Sequence, residues 1–169
     1  MNLAFRSILR SQLLSTGQFL VSRPTLSAYT SLGEIMGQNT ASLRTVALVG
    51  HGAAGKTTLA ETLLAASGAI TTRGSVEKGT TVCDFDPQEK ELGHSLNSAM
   101  ASLNWLDAQI HLVDTPGYPD FAGQAIGALA AVDTAVVVIN AQTGIELSTE
   151  RMMKYAAARN LCRMIVINK

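Results

Sequence analysis

The stretch Gly50-His51-Gly52-Ala53-Ala54-Gly55-Lys56-Thr57 has the spacing G-x-x-x-x-G-K-T and follows the apolar run Val46-Ala47-Leu48-Val49. A strand that ends in a glycine-rich loop and continues into a helix can turn backbone N–H groups inward around phosphates. The chemistry to expect is therefore grip on a nucleotide triphosphate. Lys56 would neutralise phosphate charge and Thr57 would offer its hydroxyl to Mg²⁺, with Thr58 completing the nucleotide-contacting run.

Two further motifs can join that loop. Asp114-Thr115-Pro116-Gly117 follows the apolar stretch Gln109–Val113. A carboxylate at the end of a strand beside the phosphate loop is placed to hold Mg²⁺ through water. Gly117 permits a close backbone approach, so its N–H can reach a terminal phosphate. Asn168-Lys169 closes the last apolar stretch. Each motif follows the carboxyl end of an expected parallel strand, the rim at which open α/β sheets bind ligands.

The elements that must position these residues alternate in type. Thr45–Val49 reads as a first strand. Thr57–Ser67 reads as a helix with Leu59, Leu63 and Leu64 on one face and Gly68 as its stop. Residues 71–95 are polar and aperiodic and read as a long loop. Leu96–Leu103 and Gln109–Val113 form a hairpin across Asn104-Trp105-Leu106-Asp107. Pro119–Ala131 reads as an alanine-rich helix and Ala135–Asn140 as a strand buried on both faces. Ser148–Arg159 reads as a helix capped by Ser148, and Arg163–Asn168 as another buried strand. The pattern predicts an α/β domain: a mostly parallel sheet with helices on both faces.

Composition agrees with such a domain. The chain has 169 residues, enough for one domain with a core of its own. Its 13 basic and 13 acidic residues cancel, so no basic field points to broad or sequence-specific nucleic-acid binding. Cys83 and Cys162 lie far apart in no metal or redox pattern. No transmembrane helix is expected, because the most apolar region, Ala125 to Ala141, is interrupted by Asp133. Residues 1–40 differ: no acid precedes Glu34, while Arg6, Arg10 and Arg23 supply the charge among recurrent Ser and Thr. This suits an organelle transit peptide, or else a start upstream of the true one at Met36. The domain proper is expected over residues 41–169. The compartment is then cytoplasmic in a bacterium, or mitochondrial or another organelle if the extension is a transit peptide.

The run from Arg44 to Lys169 resembles the G domain of a translational GTPase, most closely elongation factor G. The stretch from Asp84-Phe85-Asp86-Pro87 to Gly93-His94-Ser95-Leu96 resembles that family's first switch, where an acidic stretch runs into Arg-Gly-Ile-Thr-Ile. Asp114-Thr115-Pro116-Gly117-Tyr118-Pro119-Asp120-Phe121 resembles its second switch, D-T-P-G-H-x-D-F. Val138 to Glu146 resembles the strand and loop that follow. The resemblance implies a P-loop NTPase G domain that binds GTP or GDP with Mg²⁺ and hydrolyses GTP when docked on the ribosome. It implies metal ligation by Thr57, Ser95 and, through water, Asp114. Lys56, Gly117 and Tyr118 would then carry the catalytic roles. Asn168-Lys169 would open the guanine motif N-K-x-D, whose aspartate stands two positions beyond Lys169. Without that carboxylate, the 169 residues are expected to bind GTP weakly in isolation and to discriminate poorly against adenine. The last strand is expected to be an exposed sheet edge.

The departures from the family are specific. The switch-one threonine is Ser95 and the arginine before it is Leu92. The P-loop aspartate is Ala53. The histidine that positions the attacking water is Tyr118. A phenol can orient water, but it is a poor proton acceptor at neutral pH and cannot become a cation as imidazole can. Slower or differently triggered hydrolysis is expected, which fits a divergent elongation factor G-like paralogue. A second reading is a nucleotide-dependent ribosome binder with little turnover. A third, an ATP-dependent kinase, conflicts with the D-T-P-G tetrad and the switch-like loop.

Overall fold

The structure, a computed structural model, describes residues 40–169. The transit-like and alternative-start readings of residues 1–40 thus fall, Thr40 apart, outside the described residues. Five strands form one sheet: β1 (Leu43–Gly50), β2 (Ala99–Trp105), β3 (Ala108–Asp114), β4 (Thr134–Asn140) and β5 (Cys162–Asn168). Their spatial order is β2-β3-β1-β4-β5. β1 is central and pairs parallel with both β3 and β4, β4 pairs parallel with β5, and only the β2–β3 hairpin is antiparallel.

Side chains alternate across the sheet, and the alternation divides the core in two. Ala47, Val49, Ala135 and Val137 face one side, where α3 (Ala122–Leu129) and α4 (Leu147–Ala158) cover them with Ala125, Leu129, Met152 and Ala156. Leu48, Leu112, Val136 and Val138 face the other, under Ala60 and Leu59 of α1 (Lys56–Ala66). β1 and β4 lose both faces to helices, which is why their sequences read as unbroken apolar runs. A buried Val or Leu contributes about 1.5–3 kcal/mol, so these two strands anchor the sheet. Among the described residues no helix is long and apolar enough to cross a membrane.

Five local expectations need correction. Leu63 is 40% exposed; α1 instead buries Lys56, Thr57, Ala60, Glu61 and Leu64, because its first turn faces the site and its small Ala60 meets the sheet. The 71–95 loop contains a short helix, α2 (Pro87–Leu92), with Asp86 and Glu89 forming a reciprocal capping box. The hairpin turn is only Leu106-Asp107: Asn104 and Trp105 stay in β2, paired with Gln109 and Ala108. Ser148 lies buried inside the first turn of α4 rather than capping it; Glu146 is the N-cap. β5 forms at the sheet edge as expected, but Met164, Ile165 and Ile167 are exposed rather than buried.

Candidate functional site

The carboxyl ends of β1, β3, β4 and β5 meet at one rim, and the loop after β1 turns there. Gly50 ends β1 at φ 141°, where a Cβ would run into the carbonyl of Val138 on β4. Ala53 and Gly55 both take left-handed backbone, at φ 57° and 89°. Successive turns of this kind aim peptide N–H groups into a concave nest, suited to anionic oxygens. α1 begins at Lys56, so its N-terminal amides and dipole point the same way.

Lys56 is buried, and its Nζ donates to the carbonyls of His51 at 2.8 Å and Gly50 at 3.3 Å. Burial pulls its pKa down to about 8, against the opposing pull of the Asp114 carboxylate. Gly117 fits against this amine because it lacks a side chain. A Cβ there would overlap Lys56 Nζ and lie 2.5 Å from the His51 carbonyl oxygen. The second motif is thereby pressed onto the first. Thr115 adds a brace, donating its hydroxyl to the Leu48 carbonyl at 2.7 Å.

The three residues expected at a metal converge. Thr57 Oγ1 donates to Asp114 Oδ2 at 2.6 Å and lies 3.2 Å from Ser95 Oγ. Ser95 in turn donates to Asp84 Oδ1 at 2.6 Å. Asp114 Oδ1 is buried with no hydrogen-bond partner among the described residues. Burial raises Asp114 to about 7, opposed by the Thr57 hydroxyl and then Lys56. Asp84 is raised as well, chiefly by burial. Two desolvated carboxylates, one with an orphaned oxygen, and two hydroxyls make an all-oxygen set of the kind that suits Mg²⁺.

A cavity of about 470 Å³ opens over this cluster. Lys56, Thr57, Thr58, Ser95, Gly117 and Tyr118 line it, together with Gly52, Ala53, Gly55, Thr115 and Lys169. Gly50, His51, Ala54, Asp114, Pro116 and Asn168 are not in its lining. Several of these brace it. Asn168 Nδ2 donates to the Ala54 carbonyl at 3.0 Å, and its amide stands where a side chain on Gly55 would be. His51 turns away to pair with Glu146 at 2.9 Å, and Glu146 also accepts the Thr143 hydroxyl.

Sequence reasoning passed over four carboxylates and one imidazole. Glu61 is fully buried, and accepts the N–H groups of Gly74 at 2.9 Å and Val82 at 2.6 Å. It thus ties both ends of the loop beside the cavity to α1. Glu89 accepts from Leu96 and Asn97, each at 2.9 Å, and so fixes the chain just after Ser95. Asp84 and Glu146 are the others. The imidazole is His94, whose ring centroid lies 4.6 Å from that of Tyr118. Only the capping box carried a readable signal, Asp86-Pro87-Gln88-Glu89; the remaining contacts join residues with no fixed spacing.

Residues 41–169 match the family described as elongation factor Tu GTP binding domain. A ribosome-releasing factor 2, mitochondrial, from Candida dubliniensis is 36% identical over 83% of this chain and 17% of its own length. An elongation factor G-like protein from Mycobacterium tuberculosis is 42% identical over 75% of this chain and 18% of its own. A crystal structure of a Thermus thermophilus protein superposes with a TM-score of 0.73 at 44% identity, over 75% of this chain and 19% of that one. The chain thus spans less than a fifth of the length of these relatives.

Proposed function

This chain belongs to the translational GTPase family, and from that premise we propose that its protein binds GTP with Mg²⁺ and hydrolyses it to GDP and phosphate while engaged with the ribosome. One observation carries the reading: the ends of β1, β3 and β5 bring a buried lysine and a glycine pressed against it to one cavity, with an asparagine bracing the loop from outside its lining. The loop amides and Lys56 hold the phosphates. Thr57 and Ser95 would ligate the metal directly and Asp114 through water; when bound, the ion neutralises charge on the β- and γ-phosphates. Gly117 presents its N–H to the γ-phosphate, and Tyr118 stands at the mouth where the attacking water must sit. Asn168 and Lys169 support the base side.

The test is hydrolysis by the full-length protein with and without ribosomes, beside titration with fluorescent GTP and ATP. Ribosome-stimulated release of phosphate and preference for GTP are expected. Absence of stimulation at any ribosome concentration overturns the ribosome-linked part.

A second reading is favoured by Tyr118 itself, which occupies the family's histidine position. In it, the protein is a nucleotide-dependent ribosome binder with little turnover. Tyr118→His separates the two: a large gain in rate supports the binder, and an unchanged rate supports a site already competent. The mitochondrial relative and the bacterial one make a mitochondrial or bacterial cytoplasmic setting equally consistent with this chemistry.

A further inference from the structure

We propose that His94 supplies the imidazole of this site: it accepts a hydrogen bond from the water that attacks the γ-phosphate, with Tyr118 as the wall behind it. The inference rests on the reading that the cavity hydrolyses GTP. It starts from geometry. The chain has three histidines. His51 is held by Glu146, and His111 is on the β2–β3 hairpin, 2.7 Å from the Ser102 hydroxyl. His94 alone lines the cavity, beside Ser95, Gly117 and Tyr118.

His94 is held on a built segment rather than a loose loop. Gly93 ends α2 in the left-handed region at φ 69° and turns the chain toward the cavity. Ser95 is fastened to Asp84, and the two residues after it to Glu89. The imidazole packs between two aromatic rings, 4.6 Å from Tyr118 and 6.3 Å from Phe121 by centroid. Its Nδ1 lies 3.4 Å from the carbonyl of Ser95. An N–H directed there leaves Nε2 as the lone-pair nitrogen, the state an acceptor needs. Tyr118, for its part, lies flat over the phosphate loop: a Cβ on Gly52 would meet its ring at 3.0 Å. The phenol fills space that the missing side chain leaves, and the histidine stands beside it.

In the step, the water oxygen bonds to the γ-phosphorus while donating a hydrogen bond to His94 Nε2. The bond from phosphorus to the bridging oxygen breaks, and its electron pair leaves on GDP. The water proton ends on the released phosphate, so His94 is unchanged over the cycle.

The experiment is single-turnover GTP hydrolysis by the full-length protein with saturating ribosomes, beside fluorescent GTP titration. His94→Ala is expected to lower the rate about 100-fold, the low end of what a positioned acid or base contributes, with GTP affinity unchanged. Free imidazole is expected to restore part of that loss. His94→Leu keeps an apolar side chain between Tyr118 and Phe121 without ring nitrogens, and is expected to fold and lose rate equally. Either variant hydrolysing at the parental rate overturns the proposal. So does a loss of rate that follows a parallel loss of GTP affinity, or an alanine variant that imidazole does not help. A parent chain that binds no GTP overturns the functional reading first, and this inference with it.

Discussion

The side-chain amide of Asn168 donates to the carbonyl of Ala54 at 3.0 Å, so the last strand holds the phosphate loop in shape from behind. Asn168→Ala removes that donor and leaves a part-buried carbonyl to reorganise. A net hydrogen bond is worth about 0.5–1.5 kcal/mol, so GTP affinity should weaken by roughly 2- to 12-fold. Fluorescent nucleotide titration measures it. An unchanged affinity would mean that the loop keeps its shape without the brace.

Glu61 joins α1 to the loop beside the cavity through the N–H groups of Gly74 and Val82. Glu61→Ala leaves both donors without their acceptor and a void under the loop. Hydrogen bonds to a charged group contribute about 1.5–3 kcal/mol each, so the stability loss should reach several kcal/mol. Limited proteolysis should cut residues 74–82 faster than in the parent. Equal protection of that segment would show that the clamp is redundant.

The two cysteines should part company toward thiol reagents. Cys83 is buried and its pKa is pushed up to about 12, by burial first and then by the carboxylates of Asp114, Glu61, Asp84 and Glu89. Only the thiolate attacks, so it should stay unlabelled at pH 8. Cys162 is exposed at the start of β5. Native mass spectrometry after brief alkylation should find modification at Cys162 alone; labelling of Cys83 would reveal opening of the loop that carries it away from the core it packs against.

Acid should loosen the start of β1. Asp133 accepts from the Thr45 hydroxyl at 2.6 Å and the Thr45 N–H at 3.3 Å, and those bonds hold its pKa below the ordinary 3.8. A folded-state value below the unfolded one stabilises above the unfolded pKa and is lost as pH falls through the folded value. Thr45→Val should therefore lower stability at neutral pH, and the deficit should shrink below about pH 4. Denaturant melts across pH 3–7 measure this, and a deficit constant with pH would rule out the linkage.

What could be read from the sequence, and what could not, divides along a physical line. The phosphate loop, the Asp114 turn and the strands behind them were legible because backbone chemistry demands particular residues at particular spacings. Gly117 had to be small, and the structure puts Lys56 and the His51 carbonyl where its side chain would be. β4 was legible because two helix layers exclude water from both its faces. β5 carries similar residues and was expected at the edge, yet Met164 and Ile167 are exposed rather than buried; composition reports what a strand can bury, not what covers it. Glu61 reads as an ordinary helix-surface acid and Glu89 as part of a polar loop, because nothing local marks a glutamate whose partners lie across a loop. His94 gave no sign either, since its neighbour Tyr118 is distant in sequence.

The strand order has a consequence for the chain's synthesis. β1 is made first, but its partners come late: Leu43 pairs with Gln109, and Val46 with both Leu112 and Thr134. At about 5–20 residues per second, this central strand waits on the order of ten seconds before both neighbours have emerged. During that interval it presents two bare hydrogen-bonding edges. The order of emergence from the ribosome thus decides when the glycine-rich loop after β1 first takes shape.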